Sequence, residues 1–77
     1  MNITTKKTCK YFKIYINLVL HLSIKIDEYL GIQSWIDDNN LYRYNIEFYL
    51  KNGKGIVCEY DDRILWETIL KEIDNNL

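Results

Sequence analysis

Phe12-Lys13-Ile14-Tyr15-Ile16-Asn17-Leu18-Val19-Leu20-His21-Leu22-Ser23-Ile24-Lys25-Ile26 alternates without a break. Every even position is large and apolar, from Phe12 to Ile26. The odd positions are mostly polar. A period of two marks a strand with one dry face and one wet face. Read as a single strand, this stretch spans roughly 50 Å at about 3.3 Å per residue. A compact chain of 77 residues has a radius of gyration of about 11–12 Å and a diameter of about 30 Å. The strand must therefore bend, break, or run past its neighbours. Unpaired edge of that kind invites β-augmentation by a second copy, as a homodimer, or by another protein.

Outward from this stretch the chain divides simply. Residues 1–10 carry no apolar periodicity and read as a flexible basic arm, ahead of one small domain over residues 11–77. Asp27-Glu28-Tyr29-Leu30-Gly31 reads as a turn, with Asp27 as a cap and Gly31 able to end it. Ile32–Ile36 is a short second strand that puts Trp35 on the face opposite Ile32 and Ile36. Asp37-Asp38-Asn39-Asn40 is a run of turn formers. Tyr42, Tyr44, Ile46, Phe48 and Leu50 then alternate with polar residues as a third strand, and Ile56–Tyr60 is the fourth.

The pattern also sets the register of the last hairpin. A two-residue Asn52-Gly53 turn would place Ile46 opposite Glu59 and Phe48 opposite Val57. A three-residue Lys51-Asn52-Gly53 loop, with Gly53 left-handed, pairs Phe48 with Ile56, Ile46 with Cys58 and Tyr44 with Tyr60. The second keeps glutamate off the apolar face and is the one expected.

Arg63–Asn75 is the one helix. Asp61 or Asp62 caps it, and Leu65, Trp66, Ile69, Leu70, Ile73 and Leu77 form its apolar stripe. Glu67 and Lys71 stand at ion-pair spacing, and Ile64 faces away from the stripe. The expected fold is α+β: a four-stranded antiparallel β-meander with a long first strand, and one C-terminal α-helix packed on one face (ββββα). Tyr42, Tyr44, Tyr60 and Trp66 fit core positions.

Chemistry is sparse. No phosphate-binding glycine loop, nucleophile elbow or paired-histidine spacing occurs, so no enzyme activity, metal or cofactor is expected, nor any hollow of converging polar groups. His21 is the only histidine. The four-residue Asp37 turn lacks the oxygens and the glycine of a calcium loop. Cys9 and Cys58 have no ligand spacing and fit reduced thiols of a cytoplasmic protein. The lysines before Ile14–Ile24 imitate a secretory signal, but Asn17, His21 and Ser23 interrupt it and no cleavage site follows. The stretch is also too short and polar to span a bilayer.

Two functional expectations follow. The first is a non-catalytic protein-binding module, with Tyr15, Val19, His21, Trp35 and Tyr49 on an outer sheet face. The codon bias implied by abundant Ile, Asn, Lys and Tyr, with no Ala or Pro, fits an AT-rich genome. A small phage or mobile-element regulator of a host complex has this character. The second is single-stranded nucleic-acid binding. Residues 1–25 contain Lys6, Lys7, Lys10, Lys13 and Lys25 and no acid, while the net charge of the chain is −1. Against it, Glu47 and Glu59 are expected to share the sheet face with these lysines.

Overall fold

The chain reverses at Asn17-Leu18, in the middle of the stretch read above as one strand. The computed structural model describes residues 2–39 and 42–77; Met1 of the arm and Asn40 of the turn lie outside them. Among the described residues the elements are β1 (Ile3–Lys7), β2 (Tyr11–Ile16), β3 (Val19–Lys25), a 3-10 turn (Ile26–Glu28), β4 (Tyr29–Ile36), β5 (Tyr44–Leu50), β6 (Gly55–Tyr60) and α1 (Arg63–Asn76). They build two antiparallel three-stranded sheets, β1-β2-β3 and β4-β5-β6, and one helix. The single four-stranded meander is therefore wrong. The expected long strand is two strands paired with each other, so no strand runs past its neighbours, and β1 and β3 are the edges of an ordinary three-stranded sheet. A ~50 Å strand could not fit a molecule whose longest extent is 37 Å.

Two phase changes that cancel explain the misreading. A two-residue hairpin turn pairs even residues of β2 with odd residues of β3, as in Ile16 opposite Val19 and Tyr15 opposite Leu20. Extended further, that register would bring His21 and Ser23 inward. Instead the register shifts at Ile14/Tyr15, so that Ile14 faces Leu22 and Phe12 faces Ile24. His21 is the extra residue of this β-bulge. The turn reverses the alternation and the bulge reverses it again, so the even-numbered pattern runs unbroken through a reversal of the chain. Only the turn-proximal even residues break rank: Leu18 is 79% exposed and Leu20 50%.

The turn itself gives no sequence signal. Asn17 (φ 49°) and Leu18 (φ 68°) are both left-handed, the backbone of a type I′ turn that favours Asn-Gly. Asn17 suits the position, and its Oδ1 accepts from Asn2 N at 2.9 Å while Asn17 N donates to Asn2 O at 2.8 Å. Leucine does not suit it, because its Cβ crowds the backbone in this region. Leu18→Gly relieves that strain and removes little packing. Stability rises by about 1 kcal/mol, and thermal melting shifts upward by roughly 4–8 °C.

The arm is also a correction: Ile3–Lys7 pairs with β2, from Ile3 opposite Ile16 to Lys7 opposite Phe12. At the next junction, the 3-10 turn carries no side-chain cap from Asp27. Gly31 lies inside β4, after a second bulge at Leu30. The β5–β6 hairpin has the expected register, with Phe48 opposite Ile56, Ile46 opposite Cys58 and Tyr44 opposite Tyr60. Gly53 takes φ 82° and donates to Leu50 O at 3.1 Å.

Helix α1 begins where Asp62 accepts from Ile64 N and Leu65 N at 2.9 and 3.1 Å. Ile69 and Ile73 are fully buried, and Leu65, Trp66, Leu70 and Leu77 pack beside them. Ile64 is 73% exposed, as its place off the stripe requires. Glu67 pairs with Arg63 at 2.9 Å, one turn back, rather than with Lys71. The helix touches β5, β1 and β6. One core results, from Phe12, Ile14, Leu22 and Ile24 of the first sheet, Tyr44, Ile46, Phe48 and Tyr60 of the second, and the two helix isoleucines. Tyr42, expected inside, is 79% exposed.

Candidate functional site

The register of the first sheet assembles one face residue by residue. Directly paired residues share a side, and Phe12 and Ile14 point into the core. Tyr11, Lys13 and Tyr15 of the central strand β2 therefore point outward. Lys13 is flanked by Lys6 on β1 and Ser23 on β3, Tyr15 by Thr4 and Leu20, and Tyr11 by Lys25. The face is open: Thr4, Lys6, Tyr11, Leu20, Ser23 and Lys25 are exposed, and Lys13 and Tyr15 half-buried.

Its electrostatics are one-sided. Lys6 stands directly opposite Lys13, a like-charge pair that a sheet tolerates at a cost. Neither forms an ion pair among the described residues; Lys25 has a loose partner in Glu28 at 3.9 Å. The Lys13 ammonium lies 5.9 Å from the centre of the Tyr11 ring, within cation–π range. No carboxylate precedes Asp27 in the chain. Glu47 and Glu59 belong to β5 and β6, so they are on a different sheet from these lysines, against the expectation that they would dilute the charge.

The remaining candidate residues separate. Lys7 faces the core side of β1, and its Nζ donates to the Asn76 carbonyl at 2.6 Å, a cation at the negative end of the helix dipole. Lys10 lies in the β1–β2 corner. There Thr8 Oγ1 accepts from Lys10 N and Tyr11 N at 3.2 and 3.0 Å, and Lys10 O accepts from Ile26 N at 2.8 Å. Val19, opposite Ile16, sits on the core side of β3 beyond the end of the core and is 68% exposed. Trp35 and Tyr49 lie on the outer side of the second sheet but in different rows. Trp35 is opposite Asn45, four pairs along from Tyr49, which stands between Gly31 and Gly55. The five residues expected to form one aromatic patch are thus split between two sheets. Tyr49 has a local reason to be there, since two flanking glycines leave space for its ring.

His21 ties the sheets together. Its Nε2 lies 2.6 Å from the Tyr60 hydroxyl, with the rings tilted and 5.5 Å apart. Burial and then the neighbouring Cys58 push the Tyr60 hydroxyl far up, so it keeps its proton and can donate it to a neutral imidazole. Burial also raises the Cys58 thiol, with Tyr60 acting the other way, and leaves it a poor nucleophile. Burial holds the His21 ring below its ordinary 6.5. The unfolded chain therefore takes up the proton first as pH falls. Stability declines on acidification from roughly pH 7 to pH 5. Urea melts across that range show the decline in the native protein and a flatter profile in His21→Gln.

Two open hollows stand out among the described residues. One of about 420 Å³ is lined by Tyr42, Arg43, Glu59, Tyr60 and Asp61, with Arg43 and Glu59 3.9 Å apart. Polar groups do converge there, against expectation. The other, about 310 Å³, adjoins the basic face and is lined by Cys9, Lys10, Tyr11, Lys25 and Asp27. No group of three or more His, Cys, Asp or Glu that could hold a metal occurs among the described residues. No helix among them is long and apolar enough to cross a membrane.

Tyr11, Thr4 and Ser23 belong to the basic face and were missed in the sequence. Tyr11 had a signal, since it continues the odd-numbered series of Lys13 and Tyr15 by one step. Thr4 and Ser23 had none, because only the strand register places them. No protein-family model matches the chain, and no curated protein or solved structure matches it.

Proposed function

We propose that the outer face of β1-β2-β3 binds single-stranded nucleic acid. The observation that supports this best is the row Lys6–Lys13, two like charges held side by side between Tyr11 and Tyr15 on strands that carry no carboxylate, with Asp27 and Glu28 only at the Lys25 end. An anionic strand relieves the repulsion, and the exposed rings offer stacking surface to unpaired bases. A duplex hides its base faces, so tyrosines placed this way favour single strands. The overall charge of −1 does not oppose the reading, because the acids lie after residue 26 and the local field is what an approaching strand meets. The overlong strand that favoured protein binding is a paired hairpin, with β1 and β3 as the edges of its sheet.

Fluorescence polarisation with a labelled single-stranded oligonucleotide tests the proposal. Three lysines on three phosphates give a log–log salt slope near about −2. The triple variant Lys6→Gln, Lys13→Gln, Lys25→Gln brings the slope close to zero, and Tyr15→Ala weakens binding by about 1–3 kcal/mol. Absence of binding at ~50 mM salt, or an unchanged slope in the triple variant, refutes it.

A further inference from the structure

We infer that Leu18, at the tip of the β2–β3 hairpin, is a wedge that opens a base step where duplex gives way to single strand. The inference rests on the single-strand reading above and adds the class of ligand: a forked junction rather than a free strand.

Three features of the tip meet here. Leu18 is the most exposed aliphatic of the first sheet and is held in a left-handed conformation that disfavours leucine. No packing repays that strain within the molecule, and strain retained at an exposed residue points to a use outside it. The tip is also stiff. The paired Asn2–Asn17 hydrogen bonds tie the turn to the start of β1, so the side chain is presented on a braced support. Finally, the tip is continuous with the basic face. Leu20 stands opposite Tyr15 and carries an apolar line from Leu18 to the first ring of the row.

The chemistry fits a junction. Apolar side chains that enter a base step unstack it and kink the duplex. A base released at Leu18 meets the Tyr15 ring next, and its phosphates then pass Lys13 and Lys6. Wedge and platform thus act in sequence along one strand. A blunt duplex offers the wedge no loosened step, and a free strand offers it nothing to open.

A forked duplex with a fluorescent aminopurine in the pair beside the junction provides the readout. The native protein raises the aminopurine signal and binds the fork several-fold more tightly than the free single strand that forms its arm. Leu18→Gly and Leu18→Asn, both suited to the turn, remain folded by circular dichroism and hold a plain single strand as the native protein does. They lose the aminopurine signal and the preference for the fork. A silent junction with normal single-strand binding overturns the wedge alone, as does a junction opened equally by the variants. Failure to bind any single strand overturns the parent reading and the wedge with it.

Discussion

A chain lacking Ser23 loses most of its stability, whereas a chain lacking His21 keeps its fold. The contrast comes from the bulge. Removing His21 leaves a regular two-residue hairpin in which Ile14 still faces Leu22 and Phe12 still faces Ile24, pairs that the structure already makes. Only the contact with Tyr60 is lost. Removing Ser23 has no such remedy. If the bulge stays, Ile24 turns to solvent and Lys25 enters beside Phe12. If the bulge dissolves, Leu22 turns out and His21 enters beside Ile14. Either way one buried aliphatic is exposed, costing about 1.5–3 kcal/mol, and a polar side chain is buried at about 1–3 kcal/mol more. Urea denaturation of the two deletion variants measures the difference. Equal midpoints contradict the bulge assignment.

Phe48→Ala removes about 3–5 kcal/mol of stability. Phe48 is fully buried on β5, the central strand of the second sheet, between Ile32 of β4 and Ile56 of β6. Ile56 is 38% exposed, and the ladder on both sides fixes the backbone, so the surroundings collapse little into the space left behind. For a chain this small the total stability is about 4–12 kcal/mol. The variant is therefore partly unfolded at ordinary temperature, which calorimetry and near-ultraviolet circular dichroism detect. A loss below about 1.5 kcal/mol, as for a volume-conserving swap, contradicts this account of the core.

The parts of the fold that were legible are those where each signal was local. Asp62 before an apolar stripe gave the helix, and Gly53 with the Phe48–Ile56 and Ile46–Cys58 pairs gave the second hairpin. The first hairpin was hidden because a phase change at Asn17-Leu18 was undone four residues later, and because leucine occupies a position where glycine or asparagine would announce a turn. The division into two sheets had no local mark at all. The turn at Ile26–Glu28 joins strands of different sheets, yet in sequence it resembles any hairpin connection. For the site, the lysines were visible as charge. Which of them act together was not, because Lys6 and Lys13 become neighbours only through β1–β2 pairing, and Lys7, next in sequence, is turned to the helix end instead.

Each sheet consists of strands consecutive in sequence, and α1 packs across β1, β5 and β6, its end held by Lys7 at Asn76. Synthesis from the first residue onward can therefore complete all six strands while the interior is still uncovered. Closure waits for α1, 14 residues or roughly four turns of helix, to leave the ribosome. A nascent chain stalled near Asp62 would present two bare apolar surfaces at once, which makes the helix the segment that decides between a finished molecule and a sticky one.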